Sequence, residues 1–257
     1  MTHPWFAATA TPRILAHRGL VPHDAEGVVE NTVAAFAAAH AGGAVYVESD
    51  CHLTADGVPI LFHDEDLNRV AGDPRRIADV RFVELEQIMA SRGGLLTVGG
   101  ALQTFPTLRF NLDVKVATAA APVGAAIARY ADRVLVSSFD DRRRRAALAA
   151  ARAAGGEPAT SAGRTTIVQA LLAVSSRSRR AVRHALVGID ALQIPEHQGP
   201  VRIVTPRLVD AAHEAGVEVH VWTVNDTADM TRLLDLGVDG LVTDRADAAL
   251  KVVAARG

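Results

Sequence analysis

The chain has 257 residues, 49% of them hydrophobic, which is enough for one large core spanning a single domain, residues 1–257, with no linker-like break. A formal net charge of −2 excludes a global pull toward nucleic acid or an anionic membrane, and the lone cysteine, Cys51, excludes an intramolecular disulfide and any multi-cysteine metal site. Met1 to Arg13 lacks the charged start and apolar core of a signal peptide, and no apolar run approaches the ~20 residues that span a bilayer, so a cytoplasmic protein without stable membrane insertion is expected.

Short β-rich runs alternate with Ala-rich helical ones, the pattern of a parallel sheet with crossover helices. In chain order the predicted strands are Arg13–His17, Ala44–Asp50, Arg109–Lys115, Arg133–Ser138, Glu157–Ser161, Ile189–Ile194, Val217–Thr223 and Val238–Thr243. The predicted helices are Asn31–Ala41, Phe82–Ala90, Ala119–Tyr130, Arg142–Ala153, Thr166–Ala173, Pro206–Ala215 and Thr227–Leu236. Gly216 and Gly237 stand where a helix would stop before the next strand. Units of this kind, repeated over a chain close to the ~250 residues typical of the fold, predict an α/β protein closed as a (β/α)8 TIM barrel.

One further strand, Pro59–His63, breaks the alternation. It follows its predecessor too closely for a parallel crossover, and Asp56-Gly57 signals a two-residue hairpin. This predicts a small β-hairpin and loop insertion after the second strand at the C-terminal face. Pairing outward from the turn sets Leu53 opposite Ile60 and Asp50 opposite His63. Side chains alternate with period two, so Glu48, Asp50 and His63 should share one face. His52 would share it too, but farther out and exposed. Cys51 faces away and should be a small buried hydrophobe.

Nearly every predicted strand ends in polar residues that packing does not require. The first ends His17-Arg18-Gly19, the second carries Glu48 and Asp50, and the third carries Asp113 and Lys115. Ser137-Ser138, Trp222-Thr223-Val224-Asn225 and Thr243-Asp244 close later strands. In a (β/α)8 barrel these ends form the active-site face. Three carboxylates converging there are hard to tolerate without a cation, and oxygen-only ligation points to Mg2+ or Ca2+.

Taken together, HRG at 17–19, ENT at 30–32, E-x-D at 48–50, T-x-D-G at 54–57, HD at 63–64 and L-x-R at 67–69 resemble the glycerophosphodiester phosphodiesterase family. D-V-K at 113–115, S-F-D at 138–140, W-T-V-N at 222–225 and G-V-D-G-L-V-T-D at 237–244 extend the resemblance over nearly the whole chain. It implies that Glu48, Asp50 and Asp113 hold one divalent metal ion and that His17 and His63 do the proton and nucleophilic work. It further implies that Arg18 and Lys115 contact the phosphate, with Glu30 and Asn31 in support. The attacking oxygen is either water or a neighbouring hydroxyl of the substrate. Departures from the family pattern are Val29 and Ala246 for prolines, Asp113 for the usual glutamate, and Leu95-Leu96-Thr97-Val98 for I-P-T-L.

Other readings of the same residues stand beside these. Lys115 is either a phosphate ligand or the counter-ion of Asp113, and Trp222 either fills the barrel or touches the substrate glycerol. The runs Arg142–Arg145 and Arg177–Arg180 read as solvated helix faces, since they lack the interleaved aromatics of a nucleic-acid site. The leading function is hydrolysis of a small-molecule glycerophosphodiester to sn-glycerol 3-phosphate and an alcohol. The alternatives are a lysophospholipase D-type cleavage of lysophospholipids and a barrel that binds phosphorylated ligands without turnover. A lipid substrate would need an apolar ramp, for which Leu61, Phe62, Val70, Phe82, Leu95 and Leu96 are the candidates. The segment Glu65–Leu108 is expected to overhang the active-site face and to set substrate choice.

Overall fold

The computed structural model describes residues 3–7, 9–21 and 26–256. Its strands are β1 Arg13–His17, β2 Tyr46–Leu53, β3 Pro59–Leu61, β4 Arg109–Val114, β5 Val134–Ser137, β6 Ala159–Thr160, β7 Ala191–Pro195, β8 His197–Gln198, β9 Val201–Arg202, β10 Glu218–Trp222 and β11 Gly240–Thr243. Its helices are α1 Val33–Ala41, α2 Asn68–Ala71, α3 Phe82–Met89, α4 Val98–Thr104, α5 Ala120–Ile127, α6 Asp141–Ala153, α7 Arg164–Ser175, α8 Arg179–Ala185, α9 Pro206–Glu214, α10 Thr227–Asp235 and α11 Ala246–Ala254. Eight strands run parallel in the order β6-β5-β4-β2-β1-β11-β10-β7. The remaining seam, between β6 and β7, is closed by a parallel bridge from Ser161 to Ala191 and by the Asp190 N–H donating to the Thr160 carbonyl at 2.9 Å. The result is the expected (β/α)8 barrel. Gly216 and Gly237 sit at φ +76 and +92, the left-handed geometry that ends α9 and α10. Among the described residues no helix is long and apolar enough to cross a membrane.

Alternation along the strands sorts the side chains into two cores. Odd positions of β1 and even positions of β2 point inward, so Leu15 and Tyr46 join Leu135, Ala159, Ala191 and Val242 inside the barrel. Their neighbours Ile14, Ala16, Val47, Phe110, Val136 and Leu241 face outward into the helical ring. The N-terminal turn Pro4–Ala7 supplies a plug, which the sequence reading missed: Trp5 is fully buried in the inner core and its indole donates to the Phe110 carbonyl at 3.0 Å. Beside it, Arg13 makes a buried ion pair with Glu218 at 2.8 Å. The outer faces of the helices are less uniformly solvated than expected. Arg144 is buried and donates to Thr160 and Asp141, so the run Arg142–Arg145 is not wholly a solvated face.

The hairpin forms, antiparallel as predicted, but its register differs by one residue. Leu53 pairs with Pro59, His52 with Ile60 and Cys51 with Leu61, and the Phe62 N–H donates to the Asp50 carbonyl at 2.9 Å. Asp50 is therefore opposed by Phe62, and His63 lies beyond the strand. The loop holds three residues rather than two. Gly57, at φ +80, ends a turn closed by its N–H donating to the Thr54 carbonyl, and the Thr54 N–H donates onward to Val58. Asp56 secures this geometry by accepting from the Thr54 hydroxyl at 2.7 Å and from the Phe82 N–H at 2.9 Å.

Ile60, Phe62, Leu67, Ile77, Val80, Leu85 and Met89 form a satellite core of their own. Thr97 bridges to Ile60, so the end of the segment folds back on the hairpin, while Arg69 near its start pairs with Asp64 and Glu30 beside the barrel mouth. No residue from 65 to 108 lines the cavity at that mouth. His52, expected to be exposed, is buried, with its ring Nε2 3.2 Å from the His63 carbonyl. Cys51 is fully buried, as expected.

Candidate active site

At the C-terminal ends of the strands lies a cavity of about 530 Å³ whose walls include His17, Arg18, Glu48, Asp50, His63, Asp113, Lys115 and Trp222. Strand parity places them there: His17 pairs with Glu48 across β1 and β2, and Glu48 and Asp50 pair with Asn111 and Asp113 across β2 and β4. After β1 the chain turns through Arg18 at φ +58 and Gly19 at φ +89. A side chain at Gly19 would come within 2.8 Å of the Ala35 backbone, so only glycine lets α1 approach so closely. The Asn31 N–H donates to the Arg18 carbonyl at 2.8 Å, which ties the Glu30-Asn31-Thr32 loop to the end of β1.

The centre of the cavity is acidic and its carboxylates are buried. The Lys115 ammonium lies 2.7 Å from Asp50 and 2.8 Å from Asp113, and the Arg18 Nε lies 3.3 Å from the other Asp50 oxygen. Burial opposes ionisation of Asp50, but Lys115 and Arg18 outweigh it and hold its pKa below the ordinary value. Glu48 and Asp113 go the other way. Burial first, and then the negative charge of Asp50, pushes the Glu48 carboxyl well up, and burial raises Asp113 although Lys115 opposes it. Asp50 also accepts from the Asn31 side-chain amide at 3.2 Å, whose oxygen receives the Ser49 hydroxyl at 2.6 Å.

These donors suit a hard divalent cation in composition. Glu48 Oε2 and Asn111 Oδ1 are buried oxygens without a hydrogen-bond partner, side by side in register, below two further carboxylates. Among the described residues no group of three His, Cys, Asp or Glu side chains is drawn together into a ligating cluster. The reason is visible: Asp50 and Asp113 both turn to Lys115, whose ammonium stands where a cation would serve the same charges. Lys115 is thus a counter-ion of Asp113, as one reading held, and of Asp50 as well.

Each histidine is paired with a carboxylate through Nδ1. His17 Nδ1 lies 2.6 Å from Asp244 Oδ1, and Asp244 in turn accepts from the Asn225 amide at 2.7 Å. His63 Nδ1 lies 2.6 Å from Asp64 Oδ1, and Asp64 accepts from Arg69 Nε at 2.6 Å. Hydrogen bonding to His17, against some burial, lowers the Asp244 pKa; at Asp64, Arg69 and His63 together overcome burial to the same effect. With Nδ1 committed to an anionic acceptor, Nε2 is the ring atom left to exchange protons, and His17 Nε2 lies 3.8 Å from Glu48. Arg69 also binds Glu30, and Glu30 accepts from Arg18 at 2.9 Å, so one chain of charges links His63 to Arg18.

The glycerophosphoryl diester phosphodiesterase family profile matches residues 17–248, which include every residue of this arrangement. The chain belongs to that family. With it the protein falls among the phosphoric diester hydrolases. Among its relatives is a Mycobacterium tuberculosis protein named "Probable glycerophosphodiester phosphodiesterase 2", 36% identical over 247 residues, covering 95% of this chain and 91% of the relative. A glycerophosphodiester phosphodiesterase of Caldanaerobacter subterraneus is 27% identical, covering 93% of this chain and 97% of the relative. A crystal structure from Silicibacter pomeroyi shares the fold at a TM-score of 0.75 and 24% identity, covering 99% of this chain and 98% of that one.

Within this phosphodiesterase fold all ten residues singled out from the sequence gather at one mouth. Eight line the cavity, while Glu30 and Asn31 stand behind it, bonded to Arg18 and Asp50. Trp222 is half-buried: it packs against the inner core of the barrel, lines the cavity above it and meets Phe139 edge-on at 5.6 Å. Sequence reasoning missed Asp64 and Asp244 as histidine partners, Asn225 behind Asp244, Arg69 as the link to Glu30, Asn111 as an unpartnered oxygen, and Phe139. Asp64 and Asp244 did have a signal, since both lie in motifs quoted above; Asp64 adjoins its partner His63, whereas Asp244 meets His17 from the far end of the chain. Asn111 had parity alone.

Proposed function

We propose that the protein hydrolyses glycerophosphodiesters to sn-glycerol 3-phosphate and an alcohol with the help of one divalent cation, Mg2+ or Ca2+. The observation that carries this reading is the pair of carboxylate-bound histidines on the wall of a cavity whose floor holds three buried carboxylates and two cations. Family membership supports the substrate class, and the named relatives support the glycerophosphodiester. Glu48, Asp50 and Asp113 would hold the cation, which when bound supplies Lewis-acid polarisation of the phosphoryl group.

This chain's own residues would perform the remaining work. Arg18 and Lys115 stabilise the charge that builds on the phosphate oxygens, and their positions are set by Glu30 and by the carboxylates. One histidine withdraws a proton from the attacking oxygen while the other delivers one to the departing alkoxide, both through Nε2. Asp64 and Asp244 hold the rings in the orientation and tautomer that present Nε2 to the cavity. Trp222 offers an aromatic surface beside the reacting phosphate for the glycerol carbons.

The test is a panel of glycerophosphocholine, glycerophosphoethanolamine and glycerophosphoinositol, each with EDTA, Mg2+ or Ca2+, with glycerol 3-phosphate quantified as product. Turnover should require a divalent cation. His17→Ala and His63→Ala should each lower turnover by ~10²-fold or more while circular dichroism stays unchanged. A folded alanine variant with near wild-type turnover would remove that histidine from the mechanism.

A further inference from the structure

The formal net charge of −2 is spread unevenly along the chain. Residues 158–189 hold five arginines and neither Asp nor Glu, a local charge of +5. They make up β6, α7 and α8. Arg177, Arg179, Arg180 and Arg183 are all exposed, and among the described residues only Arg179 of these has a carboxylate partner, Glu214 on α9 at 2.9 Å. Arg177, Arg179 and Arg183 share a cleft of about 380 Å³ with Arg207 of α9, where the only acids are Asp210 and Glu214. Arg177 stands directly after the α7 C-cap at φ +59, the left-handed geometry that favours glycine. A guanidinium is thus held at a position where glycine would fit at lower cost.

The same stretch exposes apolar surface. Of the seven large hydrophobic side chains exposed among the described residues, Val168, Leu172 and Val187 lie in it, the last two at 67% and 76%. Val168 and Leu172 are one turn apart on α7, and Val187 follows α8. Unpaired arginines beside exposed aliphatic side chains suit a partner whose outer layer is anionic and whose next layer is hydrocarbon. A nucleic acid fits less well, since residues 158–189 contain no Phe, Tyr or Trp to stack on bases. We infer that the α7–α8 face docks the protein peripherally on an anionic lipid bilayer. The guanidinium groups meet the lipid phosphates, for which their planar fork is matched, and Leu172 and Val187 reach toward the acyl boundary. The run Arg177–Arg180, read from the sequence as a solvated face, is then the headgroup contact. Nothing in this docking calls on the catalytic residues, so it is independent of phosphodiester hydrolysis.

The experiment is co-sedimentation of the full chain, in EDTA, with vesicles of phosphatidylcholine alone or with about 30% phosphatidylglycerol. Binding to the anionic vesicles should exceed binding to the neutral ones by about tenfold or more in about 0.1 M salt. It should fall away at about 1 M, where the screening length drops from about 10 Å to about 3 Å. The triple substitution Arg177→Gln, Arg180→Gln, Arg183→Gln should weaken binding about a hundredfold, at about fivefold per charge near an anionic surface. Leu172→Ser with Val187→Ser should weaken it about tenfold. Arg177→Gly should weaken it about fivefold without lowering Tm, so that its loss of binding is not a loss of fold. Equal binding to the two kinds of vesicle, binding to neither, or arginine variants that bind like wild type would each overturn the inference. So would a single-stranded oligonucleotide bound as tightly as the anionic vesicles, with Leu172→Ser and Val187→Ser changing neither, which would assign the face to nucleic acid.

Discussion

Replacing Lys115 with methionine separates its role as an internal counter-ion from its role toward substrate. The ammonium lies 2.7 and 2.8 Å from two carboxylates whose side chains are 2% and 10% exposed, and is itself only 22% exposed. Breaking a buried ion pair by removing one partner typically costs ~3–5 kcal/mol, because the surviving charges are left uncompensated. For a chain of this size that corresponds to a fall in Tm of roughly 6–20 °C, at about 2–4 °C per kcal/mol. The sign with pH follows from the raised Glu48 and Asp113 carboxyls. Their ionisation destabilises the fold as pH rises through their native values, so the deficit of Lys115→Met should be larger at pH 8 than at pH 5. A dication should relieve it. At a hundred times its Kd a ligand adds about 2.7 kcal/mol, and without a competing ammonium the variant should gain more from Mg2+ or Ca2+ than wild type does. The assay is thermal melting of both proteins at pH 5 and 8, in EDTA and across a cation titration. A variant that melts within about 2–4 °C of wild type in EDTA at pH 8, equivalent to ~1 kcal/mol, would refute the energetic role. A cation response no greater than that of wild type would refute the shared site.

Asp113→Asn should raise the cation concentration needed for half-maximal activity and shrink the cation-induced rise in Tm, whereas Asp113→Glu, the family's usual residue, should keep substantial activity; an Asn variant matching wild type in both would leave Asp113 as a partner of Lys115 only. Asp244→Asn and Asp64→Asn should each lower kcat by ~10²-fold or more with KM little changed, because the rings lose the acceptor that orients them; pH–rate profiles that overlay wild type would count against it. At the opposite end of the barrel, burial opposes ionisation of Glu218, but Arg13 and His220 draw its pKa down from 4.5 to about 2. Its contribution, roughly 3 kcal/mol, should be fully present above pH 4.5 and vanish as pH falls through about 2. Urea unfolding of wild type and Glu218→Gln at pH 7, 4 and 3 should therefore converge with acidification, and parallel curves would show that the pair is energetically silent.

What the sequence determined by itself was whatever depends on local covalent geometry. Period-two alternation is a property of the extended backbone, so Glu48 with Asp50, and Asp113 with Lys115, could each be assigned to one face of their strand before any contact was known. The eight strands emerged from apolar runs between helix-length stretches, and β1 falls on the predicted residues, Arg13–His17. The short α2, α4 and α8, the β8–β9 hairpin and the N-terminal plug were missed, because none of them carries enough periodic residues to signal itself, and the last helix, α11, was missed as well.

The tertiary structure decided everything that required two distant segments to meet. The hairpin register turned on whether the Asp56-Gly57 turn held two residues or three, a choice settled by the contacts of Asp56 with Thr54 and with the start of α3. Asp244 reaches His17 across 227 residues because β11 closes beside β1, and no local pattern encodes that closure. Lys115 could be read as phosphate ligand or counter-ion until its distances to Asp50 and Asp113 were seen. The exposure of Val168 is likewise a fact of packing. Val168 looks like an ordinary core residue in a helical sequence, and only the placement of α7 beside an open cavity leaves it exposed. Hydrophobicity says that a side chain gains from burial, and the assembled fold alone says whether there is anything to bury it.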